Sequence, residues 1–187
     1  MRLPTRIADS VAPPRLGRSF RWLWSAAIVN QAGDGVTLAA GPLLVASLTR
    51  DPFLVSLALL SEYLPVLLFG LIGGVVADRV DRKRMVVVVN LGRAFVLAVL
   101  VATIASGAVN IALVLFALFV LGTAETFADS ASSTLLPSVV PREHLGIANS
   151  RFLGSGLLAN QLLFPPVGAF LFAVGMAIPF AVNAVTF

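Results

Sequence analysis

The chain contains no cysteine, one histidine, one tyrosine and few charged residues, which make up 12% of its 187 positions. Without a thiol there is no disulfide, no thiolate metal site and no cysteine nucleophile. The lone His144 lies in a polar stretch outside the apolar segments. No serine–histidine pair or histidine metal cluster can be drawn around it, so no enzymatic activity and no metal is expected. A phosphate loop of the form Gly, four residues, Gly-Lys-Ser/Thr is also missing, which removes ATP-driven chemistry, and nothing calls for a cofactor. A soluble domain carries about 25% charged residues, so the scarcity of charge argues against a water-soluble fold.

Hydrophobic residues make up 58% of the chain. They gather in five runs of about 20 residues, each long enough to cross a hydrocarbon core as a helix. Membrane-barrel strands would alternate in polarity, whereas Val86 to Val89 and Ala112 to Leu121 do not. The expected class is an all-α integral membrane protein whose first partner is the lipid bilayer. The net charge of +4 sits beside the apolar runs with no aromatics interleaved, a pattern that excludes nucleic acid as a partner.

Residues 1–19, with Arg2, Arg6, Arg15 and Arg18 among three prolines, read as a basic tail. Helices are expected at about 20–48, 53–77, 85–105, 111–131 and 150–173. Trp22 and Trp24 are placed as interface anchors of the first. The Thr49-Arg50-Asp51-Pro52 turn ends it, because proline cannot continue a helix. Residues 132–149 are expected as a long loop. A sixth apolar segment, 176–187, is too short to span, which leads us to expect a fragment of a longer protein or a truncated gene. Arg79, Arg82, Lys83, Arg84, Arg142 and Arg151 share one side with the tail, and Arg50 stands alone on the other. That asymmetry predicts a cytoplasmic N-terminus.

Gly70, Gly74 and Asp78 recur every four residues and fall on one helix face. Two glycines flatten that face for close approach by another helix. The run Gly74-Val75-Val76-Ala77-Asp78-Arg79-Val80-Asp81-Arg82-Lys83 resembles the signature between the second and third helices of the major facilitator superfamily, with Asp81 where its second glycine stands. The resemblance implies the N-terminal six-helix half, its sixth helix incomplete, of a twelve-helix transporter. It further implies that Gly70, Gly74, Asp78, Arg79, Arg82 and Lys83 form a gating motif closing against the missing C-terminal six-helix half. The alternative is that the four basic residues only fix topology beside a solvated acid.

Ionisable residues inside apolar spans are costly, about 2.5–3.5 kcal/mol each on an insertion scale, and so point to function. They are Asp34 on helix one, Glu62 on helix two, Arg93 on helix three, and Glu125 and Asp129 one turn apart on helix four. Two neighbouring carboxylates favour holding a proton, so these five are the expected proton-coupling groups, with Arg93 as the counter-charge. The competing reading makes Asp129 a hydrated rim residue and Arg93 a structural partner. Pro65 frees a backbone carbonyl near Glu62. Asn30, Gln31, Asn160 and Gln161 are the expected substrate contacts.

Pro166-Val167-Gly168-Ala169 resembles the glycine-proline element in the fifth helix of superfamily antiporters, with Pro165 in place of its glycine. Residues 135–149 resemble the connection between helices four and five in the exporters that include enterobactin and macrolide efflux proteins. That group moves bulky amphipathic small molecules outward across the inner membrane in exchange for protons. A half-sized assembly partner with no transport of its own is the rival expectation.

Overall fold

A computed structural model describes residues 16–187, without the side chain of residue 134. Most of the tail, residues 1–15, lies outside the described residues. Among those described there is no strand. The helices are α1 (Gly17–Leu48), α2 (Pro52–Arg79), α3 (Arg82–Ala105) and α4 (Ile111–Val139). A 3-10 turn (Arg142–His144) follows, then α5 (Leu145–Leu157), a π-helical segment (Leu158–Leu163), α6 (Phe164–Val174) and α7 (Ile178–Thr186).

Side-chain caps fix where three helices begin. Asp51 accepts a hydrogen bond from Phe53 N at 2.9 Å ahead of Pro52, Asp81 from Arg84 N at 3.0 Å, and Asn110 from Leu113 N at 2.9 Å. Each oxygen satisfies an amide that a helix start leaves without an intrahelical partner.

The helix limits differ from the expected ones at one end of the bundle. Helix one starts at Gly17, at φ 81°, instead of residue 20. Helix four runs on to Val139 instead of stopping at 131, and helix five resumes at Leu145 instead of 150. The expected long loop at 132–149 is mostly helix. Pro137 and Pro141 are the sequence's reason for a loop there, yet Pro137 lies inside α4, where serine hydroxyls bond back to helix carbonyls: Ser133 to Ser130 at 3.0 Å and Ser138 to Leu135 at 2.7 Å. Its apolar residues anchor the extension, since Leu136, Val140 and Ala148 bury against Leu16 and Phe20.

Among the described residues, four stretches are long and apolar enough to cross a membrane: Pro52–Arg79, Arg82–Ala105, Ile111–Val139 and Arg142–Val174. The expectation of five included α1, which is long but carries Asn30, Gln31, Asp34 and several glycines. Protein surrounds the middle of α1 instead of lipid. Gly33, Asp34, Gly35, Val36 and Thr37 are buried in succession, and α1 packs against α2, α4, α5, the π segment, α6 and α7. Leu67, Leu71 and Phe170, by contrast, point outward, as lipid-facing residues do.

One core cluster joins Leu44, Leu97, Leu118 and Phe180 where α1 ends and α4 begins. Two smaller ones close the opposite end, where the arginine-rich connections lie: Phe20 with Leu136, and Ala77 with Met85 and Ala131. Polar side chains occupy the space between.

Candidate functional site: a polar cavity at the centre of the bundle

Asp34 and Arg93 form a buried ion pair, their side chains 7% and 4% exposed. Asp34 Oδ1 also accepts from Asn183 Nδ2 of α7 at 3.4 Å, and the same nitrogen donates to Thr37 Oγ1 at 2.7 Å. The Arg93 guanidinium lies 4.2 Å from the centre of the Phe187 ring, a cation–π contact. Helices α1, α3 and α7 thus meet at one charge pair. Such a pair is tolerated in an apolar interior because each partner neutralises the other and hydrogen bonds take up remaining lone pairs.

A cavity of about 480 Å³ opens beside this pair, within the range of small-molecule sites. Asn30, Gln31 and Asp34 line it from α1, Arg93 from α3, and Glu125 and Asp129 from α4. Asn160 and Gln161 line it from the π segment. Gln31 Nε2 reaches Asp129 Oδ1 at 3.5 Å. Glu62 faces an adjoining space of about 110 Å³, also lined by Asp34, Arg93, Glu125 and Asp129. Glu62 Oε2 is buried without a hydrogen-bond partner. All five ionisable residues singled out from the sequence, and the four amides, therefore border two adjoining polar spaces. The larger extends towards Ser132, Ser133 and Phe152, at the arginine-rich end.

Glycines bring the backbones close enough to build these spaces. A Cβ at Gly122 of α4 would collide with the backbone carbonyl of Glu62, and one at Gly41 of α1 would meet Glu62 Oε1 at 3.0 Å. The Glu62 turn is therefore held between two glycines on different helices.

The π segment has a local cause. Pro165 and Pro166 cannot donate to the carbonyls four residues earlier and crowd them, and Phe164 N bonds instead to Ala159 O, five residues back. π bulges recur at functional sites, and this one carries Asn160 and Gln161 into the cavity.

The expected gating motif lies apart from the cavity. A Cβ added at Gly70 or Gly74 would meet nothing within 4 Å, so among the described residues no other helix packs on them. Contact with α4 falls instead on Gly73, where a Cβ would meet Ser130 Oγ at 3.0 Å. Asp78 is exposed and 3.8 Å from Arg82, a surface pair that adds little stability.

Asp81, fully exposed, caps α3. The Arg84 backbone N–H bound to its carboxylate holds its pKa below the usual range, and the Lys83 N–H and nearby cations add to this. Its folded-state pKa is thus depressed, so its contribution is complete above the unfolded pKa and disappears as pH falls through the folded one. We expect Asp81→Ala to lower the thermal unfolding temperature at pH 7 and to lose that difference once the pH falls below the usual carboxylate range. Asp81→Asn keeps a capping oxygen and should stay close to the parent at pH 7.

Sequence reasoning missed Thr37, Tyr63, Asn90 and Asn183, all of which border one or both spaces. Asn90 lies three residues before Arg93, on the same helix face. Asn183 interrupts a short apolar segment, a signal the sequence does carry. Trp24, expected at the membrane interface, is half-buried: its indole donates to Ser155 Oγ at 2.8 Å and stacks on Phe20.

A Major Facilitator Superfamily profile matches residues 23–187. The chain belongs to that superfamily. It is 35% identical over 168 residues to uncharacterised MFS-type transporters of Mycobacterium bovis and Mycobacterium tuberculosis, covering 82% of this chain and 38% of each relative. A Bacillus subtilis MFS-type transporter is 35% identical over 148 residues, covering 79% of this chain and 32% of the relative. No solved structure matches. The chain thus spans well under half the length of the curated relatives it matches, and it carries membrane helices of a transporter superfamily.

Proposed function

We propose that this chain is the N-terminal half of a proton-coupled secondary transporter that exports amphipathic small molecules across the inner membrane, N-terminus in the cytoplasm. The observation that carries the reading is the gathering of Asp34, Glu62, Arg93, Glu125 and Asp129, from four helices, around adjoining polar spaces. Four carboxyl groups share one guanidinium there. A site inside the bundle with more acids than bases exchanges protons at low electrostatic cost when a neighbouring charge enters or leaves. Asn30, Gln31, Asn160 and Gln161 supply donors and acceptors for an uncharged polar part of the substrate, and Tyr63 and Phe152 supply aromatic surface.

Alternating access works by rocking two halves about a site near the membrane midplane. The bundle described here offers one wall of such a site. The open Gly70–Gly74 face with Asp78 at its end is the surface on which the second half would close. The chain reconstituted alone in liposomes is therefore expected to show no substrate flux above protein-free vesicles. The longer protein, with a second six-helix half, is expected to show efflux that depends on a pH gradient. Flux through the isolated chain would overturn the half-transporter reading, and a half-sized assembly partner would show none in either form.

A further inference from the structure

We propose that Asn183 is the positioning residue that holds the Asp34 side chain against Arg93, so that α7 fixes the geometry of the buried pair. The proposal rests on the coupling role of Asp34 given above and adds a residue to it. Asn183 is 1% exposed and each end of its amide is engaged. Its Nδ2 faces two acceptors, Thr37 Oγ1 at 2.7 Å and Asp34 Oδ1 at 3.4 Å, while Oδ1 lies 3.0 Å from the Thr186 hydroxyl. The two acceptors on the nitrogen side fix which way the amide points.

Gly33 makes the arrangement possible. A Cβ there would overlap Asn183 Oδ1 and crowd the Thr186 hydroxyl. The bare backbone of α1 is thus a slot shaped for the amide, one residue before the acid it serves. Arg93 donates to the same Asp34 oxygen. The other titratable groups bordering this space are Glu62 and Tyr63 from α2 and Glu125 and Asp129 from α4, with uncharged Asn160 from the π segment. All four are acids, so the amide and the guanidinium are the groups that hold the Asp34 carboxyl in place. Thr37 keeps the amide in place by accepting its shorter bond.

The test uses N,N′-dicyclohexylcarbodiimide, which reacts with protonated carboxyl groups in apolar surroundings, on the full chain in lipid nanodiscs. Mass spectrometry locates and times the modification at each acid at pH 7. Asn183→Leu, close in size but without a donor, releases the Asp34 carboxyl from its fixed place beside Arg93 and is expected to speed its labelling about tenfold, with Glu125 and Asp129 within about twofold of the parent. Gly33→Ala, which displaces the amide without altering it, should move Asp34 in the same direction. Thr37→Val preserves volume, removes only the acceptor, and carries the test if Asn183→Leu does not fold. Unchanged Asp34 labelling in a folded variant would overturn the proposal, as would equal acceleration at all four carboxyl groups, which would report general loosening. Labelling requires no transport, so its failure leaves the exporter reading standing and absent efflux leaves this test intact.

Discussion

Arg93→Leu is expected to destabilise the bundle by about 3–5 kcal/mol, the loss typical of removing one partner from a buried ion pair. Both side chains are almost fully enclosed, so the substitution leaves a buried carboxylate without its charge partner. The loss also takes away the cation that packs on Phe187 and leaves the carboxylate supported by the longer Asn183 bond. Asp34→Asn should cost less, because the amide keeps the shape and still offers an oxygen to Asn183. The double variant should recover more than half of the single-variant loss, since the two positions touch and their effects are coupled. Unfolding by titration with a denaturing detergent measures all three. Additive losses would show that the pair contributes little and that Arg93 matters only for packing.

The second large effect concerns glycine positions where helices touch. A Cβ at Gly168 would collide with the Val36 carbonyl of α1, and one at Gly122 with the Glu62 carbonyl of α2. Backbone atoms cannot swing away as a side chain can, so each alanine must push two helices apart. Gly168→Ala and Gly122→Ala are each expected to cost about 1–3 kcal/mol, the usual range for overpacking. Gly74→Ala meets open space and should stabilise the isolated chain by roughly 0.5–1 kcal/mol through the lower backbone entropy of alanine. In the longer protein the Gly74→Ala change is expected to turn unfavourable if a second half closes on that face. The same detergent titration on both lengths of protein distinguishes these outcomes.

These glycines show what the sequence could and could not disclose. The four-residue spacing of Gly70, Gly74 and Asp78 marks one face, but spacing alone does not say whether anything of this chain lies on it. The close contacts fall on Gly33, Gly35, Gly41, Gly73, Gly122 and Gly168, which follow no single repeat because they face several different helices, two of them converging on Glu62. The acids and Arg93 were legible because ionised groups are scarce in apolar spans and stand out by type. Depth in the spans alone leads one to expect Asp34 to meet Glu125 and Asp129 across a cavity with Arg93 as counter-charge, but which faces of the four helices turn inward was not legible. Pro137, Pro141 and the polar Arg142-Glu143-His144 run point to a loop, although Pro137 lies inside a helix that continues to Val139. Polarity cannot separate a helix that satisfies its own serines from a turn. Thr37 and Asn183 escaped because an uncharged amide or hydroxyl in an apolar run is ordinary until its partners are known.

The central claim is that the polar cavity couples proton movement to the export of a small molecule, with Asp34 at its centre. The most direct test is efflux of an amphipathic fluorescent compound by the longer protein, from energised inverted vesicles, at several pH values. We predict transport that collapses with the proton gradient in the parent and falls at least about tenfold in a folded Asp34→Asn variant, in keeping with the loss of a positioned proton-transfer group. Transport that persists in Asp34→Asn with its pH profile unchanged would contradict the account and reduce the buried pair to a structural link between helices.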